Sequence, residues 1–171
     1  MTAPVVVLVG PPGAGKTTVG ELLAARLGVD LRDTDQDIEA AEGCSVQDIF
    51  VTDGEARFRE LEESAVATAL AEHTGVLSLG GGAVLSAVTR ERLQNHRVAF
   101  LEVSLSGAAS RVGLGAGRPL LLGNVRSRLK ALLDERRPLY VEVADLTVPT
   151  DGLEAVAVAD HIAAWLEGSA A

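Results

Sequence analysis

The sequence predicts an α/β fold, a parallel sheet covered by helices in three layers, on three observations. Short apolar runs rich in β-branched residues alternate with stretches of helical apolar periodicity, the pattern of βαβ units. The first of these runs enters a glycine-rich loop that opens onto a helix. A length of 171 residues with 47% apolar content suffices for one domain with its own core.

Taken in order, Val5-Val-Val-Leu-Val9 is a continuous apolar run ended by Gly10, as expected of a strand buried on both faces. Thr17 to Leu27 places Val19, Leu22, Leu23 and Leu27 at helical spacing, and Gly28 closes the helix. Val29-Asp-Leu31 is the second strand. Val46, Ile49 and Phe50 mark a short helix, and Phe58, Leu61, Ala65 and Val66 a longer one reaching towards Glu72. Val76 to Leu79 is a strand that enters Gly80-Gly-Gly82, after which Ser86 caps a helix towards Asn95. Val98 to Val103 is a strand and Ser106 to Val112 a short helix. Gly113 to Gly123, with four glycines and Pro119, reads as a loop. Val125, Leu129, Leu132 and Leu133 share a helical face that ends before Pro138. Leu146 to Val148 is the last strand, Val158, Ile162, Trp165 and Leu166 the last helix, and Gly168 to Ala171 a tail expected to fray. No internal repeat and no linker divides residues 1–171, so a single domain is expected.

Lysines and arginines number 15 against 24 acidic residues, a net charge of −9 that argues against nucleic-acid and anionic-membrane partners. A small anionic ligand is still admissible, because it feels local arginines rather than the sum. Aromatic residues make up only 3%, too few for base-stacking platforms. The Val5–Val9 run is far shorter than the roughly 20 residues of a spanning helix and lacks the flanks of a signal peptide. The lone Cys44 excludes an internal disulfide framework, suits a reducing cytoplasm and is expected to be inert. His73, His96 and His161 show no metal-ligand spacing.

Gly10-Pro-Pro-Gly-Ala-Gly-Lys16-Thr17 satisfies the phosphate-loop pattern G-x-x-x-x-G-K-[ST] in full, between a buried strand and an amphipathic helix. Glycines let the backbone close around phosphate oxygens with amide N–H groups directed at the anion. Gly13, Ala14, Gly15, Lys16, Thr17 and Thr18 are therefore the expected ATP contacts, with Lys16 bridging the β- and γ-phosphates and the Thr17 hydroxyl on Mg²⁺. The bland alternative, a turn that merely joins strand to helix, yields because strand, loop and helix agree with the context the motif requires.

The loop leaves the acceptor open. Asp33-Thr34-Asp35 follows the second strand, at the edge where open α/β sheets bind ligands. One carboxylate there can hold metal-bound water while the other accepts a proton from an attacking hydroxyl; equally, either could cap the next helix. Arg59, with Glu55 four residues before and Glu63 four after, is either an exposed ion pair or a ligand contact. Arg136 at a helix end could simply answer the helix dipole. Arg118, between Gly117 and Pro119, decorates no helix and suits a lid that closes over phosphates. Gly80 to Gly82 is either a flexible turn or bare backbone for a ligand.

The phosphate loop, Asp33-Thr-Asp35, Gly54-Glu with Phe58-Arg59 followed by Glu62, Leu79-Gly-Gly-Gly82, Arg118-Pro-Leu120 and Arg136-Arg-Pro-Leu-Tyr140 together resemble the shikimate kinases, in order and spacing, over essentially the whole chain. The resemblance implies a five-stranded parallel sheet like that of nucleoside monophosphate kinases, with a substrate-binding segment about 33–63 and a lid about 112–124. It implies transfer of the ATP γ-phosphoryl to the 3-hydroxyl of shikimate with Mg²⁺ as cofactor, a step towards chorismate and the aromatic amino acids; a cytoplasmic monomer is expected independently of it. By the same resemblance Asp35 binds the substrate hydroxyls and serves as base, and Asp33 supports Mg²⁺ through water. Arg59 and Arg136 clamp the shikimate carboxylate, and Gly80, Gly81 and Gly82 meet the ring. Arg118 reaches the phosphates from the lid and Arg111 lies near the adenine. One departure is clear: Thr150-Asp-Gly-Leu153 offers no arginine where the family often has one near the adenine. Adenylate kinase, which usually continues Lys-Gly-Thr where this chain has Lys16-Thr17-Thr18, gluconate kinase and a nucleotide-dependent switch module are the competing readings.

Overall fold

The computed structural model describes residues 2–111 and 119–169. Its centre is one parallel sheet of β1 (Val6–Val9), β2 (Leu31–Asp33), β3 (Val76–Ser78), β4 (Val98–Glu102) and β5 (Leu146–Pro149), in the order β2-β3-β1-β4-β5. Between and after the strands run α1 (Lys16–Leu27), α2 (Thr34–Glu42), α3 (Val46–Asp53), α4 (Glu55–Glu72), α5 (Ala87–Leu93), α6 (Leu105–Arg111), α7 (Pro119–Val143) and α8 (Ala155–Ser169). β1 lies between β3 and β4, with Val7 opposite Leu77 on one side and Val98 on the other.

Alternation along β1 builds both cores. Val6 and Leu8 join Val19 and Leu23 of α1 and Val158 and Ile162 of α8. Val7 and Val9 join Val66 and Leu70 of α4, Leu93 of α5 and Tyr140 of α7. All four strand residues are buried, which is why the run is apolar without interruption. Trp165 packs at the edge of the first core. A third, smaller cluster of Ile38, Ile49 and Phe58 ties α2, α3 and α4 together beside the sheet.

Four local expectations are corrected. β2 begins at Leu31 rather than Val29, because the Val29 N–H is engaged by the Ala24 carbonyl at the end of α1, 3.0 Å away. α7 begins at Pro119, inside the segment read as loop up to Gly123, since proline is tolerated at a first helical position where no N–H partner is needed. The same helix continues through Pro138 to Val143. An interior proline forfeits one hydrogen bond, but Leu139, Tyr140 and Val143 beyond it are packed into the second core, and that burial outweighs the loss. Finally, α8 keeps Gly168 and Ser169 in helix instead of fraying there. The rest of the expected loop, 112–118, lies outside the described residues.

Candidate active site

The carboxyl ends of β1, β2 and β3 open into a cavity of about 500 Å³ lined by Gly15, Lys16, Thr17, Asp33, Asp35 and Gly80, among others. Its floor is the loop after β1. Gly13 and Gly15 hold φ of 83° and 89°, a left-handed backbone that a side chain would disfavour, and this turns the loop into the N-terminus of α1. Gly13, Thr18 and Gly81 border the same space, whereas Ala14 is buried beneath the loop.

Lys16 is folded back onto the loop, donating to the carbonyls of Gly10 (2.6 Å) and Pro11 (3.1 Å). Burial lowers its pKa to about 8, against the pull of Asp35 and Asp33. Asp33 is the N-cap of α2: its Oδ1 accepts from the N–H groups of Asp35 (2.8 Å) and Gln36 (3.3 Å). The capping alternative thus holds for Asp33, while its place on the cavity wall is retained. Asp35, in the first turn of α2, caps nothing. Its Oδ1 is buried without a hydrogen-bond partner, and burial, with the charges of Asp33 and Glu62, raises its pKa to about 6.

Beside this cavity stands a second charged group. Arg59 of α4 donates to Glu62 (2.8 Å) and Glu55 (3.3 Å), and its guanidinium lies 5.6 Å and 5.3 Å from the rings of Phe50 and Phe58. The expected exposed pair with Glu55 therefore forms, but the shorter bond goes to buried Glu62, and Glu63 is not a partner, its carboxylate accepting instead from Ser86. Glu62 is 3% exposed; burial pushes its carboxyl up while the bond from Arg59 and the charge of Arg136 pull it down. Arg59 and Glu62 border an adjoining hollow of about 400 Å³ rather than the phosphate-loop cavity itself. Arg136 sits within α7 and not at its end, so the helix-dipole explanation fails; its charge bears on Lys16, Glu62 and Tyr140 alike.

The glycine triplet is where these groups meet. A Cβ on Gly80 would stand 2.6 Å from Asp35 Oδ1 and 3.0 Å from Glu62 Oε2. On Gly81 it would press on Pro12 (3.0 Å) and approach Arg136 Nη1 (3.5 Å), and on Gly82 it would land on the Arg59 guanidinium, 2.6 Å from Cζ. Each missing side chain makes room for a different functional group. The segment is fixed rather than a flexible turn: Gly80 N–H donates to Thr34 Oγ1 (3.4 Å), and the Gly81 carbonyl accepts from Tyr140 Oη (2.5 Å).

Of the residues singled out in the sequence, the loop, both aspartates, Arg59, the three glycines and Arg136 come together here. Arg111 closes α6, and Arg118 lies outside the described residues. Glu62 and Tyr140 were visible only as letters of the recurring motifs; no role for either follows from spacing alone. After β5, Thr150 donates to the Glu102 carbonyl (2.8 Å) and Asp151 accepts from the Ser104 N–H (3.1 Å), so neither polar side chain stands free to replace the absent arginine. Cys44 is exposed between α2 and α3. Among the described residues no helix is long and apolar enough to cross a membrane.

Comparison with known proteins agrees along the whole chain. The profile of the shikimate kinase family matches residues 12–167. A shikimate kinase of Salinispora arenicola is 58% identical over 164 residues, 96% of this chain and 98% of its own. One from Thermobifida fusca is 62% identical over 147 residues, 86% of each chain. Among solved structures, the shikimate kinase of Acinetobacter baumannii in complex with shikimate superposes with a TM-score of 0.89 at 36% identity, covering 99% of this chain and 95% of that one.

Proposed function

Because this chain belongs to the shikimate kinase family, we propose that it transfers the γ-phosphoryl group of ATP to the 3-hydroxyl of shikimate, giving shikimate 3-phosphate and ADP in the route to chorismate and the aromatic amino acids. One observation carries the reading: a complete phosphate loop and a buried carboxylate oxygen with no partner, Asp35 Oδ1, border one cavity.

In this reading the amides of Gly13 to Thr18 hold the phosphates and Lys16 exchanges its carbonyl partners for β- and γ-phosphate oxygens. Asp35 Oδ1 accepts the hydrogen bond of the shikimate hydroxyl and then its proton, with a pKa of about 6 that suits a base near neutral pH. Arg59 and Arg136 hold the carboxylate, and Gly80, Gly81 and Gly82 present backbone to the ring. Two guanidiniums on one carboxylate outweigh the screened charge of an acidic surface. Arg118 is assigned to the phosphates and Arg111 to the adenine.

The cavity fits Mg²⁺ in the manner of phosphoryl-transfer sites, where one or two protein oxygens, waters and substrate phosphates complete the shell. Thr17 offers a hydroxyl and Asp33 a carboxylate on the same wall, and no cluster of three or more acidic, His or Cys side chains that could cage a metal exists among the described residues. When bound, the ion neutralises charge developing on the transferred group. Residues 1–171 act as one domain, with 33–63 as the substrate-binding segment. The enzyme works as a cytoplasmic monomer, where ATP is made and Cys44 stays reduced.

The test is ADP release with shikimate, gluconate, AMP or no acceptor. Stimulation by shikimate alone is expected; stimulation by gluconate or AMP instead would refute the assignment.

A further inference from the structure

Tyr140 is the only tyrosine in the chain, and it is 1% exposed. Its ring lies against Phe100 of β4, centroids 4.9 Å apart and planes 29° from parallel. Its hydroxyl leaves this apolar setting and donates to the Gly81 carbonyl, 2.5 Å away and 59 residues distant in sequence. Arg136, one helical turn earlier on α7, brings its Nη1 to 3.5 Å from where a Cβ on Gly81 would stand.

We propose that Tyr140 is a positioning residue that sets the distance between Arg136 and the glycine triplet, and with it the affinity for the substrate carboxylate. The proposal rests on the roles given above to Arg136 and Gly81. Phe100 holds the ring, the ring fixes the hydroxyl, and the hydroxyl ties the triplet backbone to the helix that carries Arg136. Because the triplet also abuts Asp35 and Arg59, a shift of Gly81 moves the floor on which both work. Loss of the hydroxyl leaves the Gly81 carbonyl without that donor and lets the triplet shift relative to Arg136, at the cost of shikimate rather than of ATP.

Steady-state kinetics of Tyr140→Phe provide the test. The KM for shikimate should rise about tenfold, with kcat within about threefold and the KM for ATP unchanged. An unchanged KM for shikimate overturns the proposal, and so does an equal rise for both substrates accompanied by a large drop in melting temperature. A measurement on the unsubstituted sequence stands beside it. With ring-fluorinated tyrosine incorporated, the chain gives a single fluorine resonance, which should move on saturation with shikimate and move much less in Arg136→Lys. A resonance indifferent to saturating shikimate overturns the proposal even where Tyr140→Phe fails to fold. Failure of the underlying reading looks different: Arg136→Lys would then leave the KM for shikimate unchanged.

Discussion

The two halves of the site handle charge in opposite ways. Around the phosphate loop, Lys16 and Asp35 lack an ion-pair partner among the described residues and burial draws both towards neutrality, Lys16 down to about 8 and Asp35 up to about 6. Around α4, the guanidinium of Arg59 is already paired with Glu62 and Glu55 and laid against two aromatic rings. On the proposed reading, the first half changes partners when phosphates and a hydroxyl arrive, and the second, assembled beforehand, receives the carboxylate. Chemistry is expected to depend on the first and recognition on the second.

The largest effect should come from Lys16→Ala, which removes the one lysine at the phosphates: a loss in kcat of about 10³ or more with the fold intact by circular dichroism. Near-normal turnover would break the comparison at its stronger end. Asp35→Asn keeps the shape and removes the proton acceptor, so stopped-time assays should show kcat reduced by roughly 10² with the KM for ATP little changed. On the recognition side, Gly82→Ala drives a methyl group into the Arg59 guanidinium. It should raise the KM for shikimate about tenfold while altering kcat far less; a fall confined to kcat would show that the two halves are not separable.

The smallest effects are in pH. In the free enzyme kcat/KM should rise as Asp35 loses its proton near 6 and fall as Lys16 loses its own near 8. Asp35→Asn should remove the acid limb. Stability runs the other way. The carboxyl of Asp35 has its pKa raised from the usual 3.8 to about 6, so its folded state is favoured while it is protonated and that advantage is lost as pH rises through 6. Asp35→Asn should accordingly melt higher than the parent at pH 7.5, with the gap closing towards pH 4. Parallel melting curves at both pH values would mean that Asp35 is better solvated than its burial suggests.

What could be read from the sequence follows the same division. A phosphate loop is contiguous, and its chemistry is carried by local backbone, so the letters Gly10 to Thr18 sufficed. The alternation of strands and helices was equally legible, because period and length are local properties. The recognition half is non-local. That Arg59 turns to Glu62 rather than Glu63, with Phe50 stacked on it, depends on how α3 packs on α4. That α7 survives Pro138, and so carries Arg136 and Tyr140 on one continuous rod, depends on a core contributed by β4 and α4. Residue identity named the participants through resemblance to a family, but the partners of each emerge only from the fold. The raised pKa of Asp35 is only partly legible in the sequence: Asp33 stands two positions away, but burial, the largest cause, and Glu62 come from the fold.

The glycine triplet has a consequence for chemical intervention. Drug resistance commonly arises when a side chain grows into the space an inhibitor occupies. At Gly80, Gly81 and Gly82 any such growth first collides with Asp35, presses on Pro12, or collides with Arg59. A compound seated on this backbone would confront a target whose simplest escape substitutions injure the enzyme before they dislodge the compound.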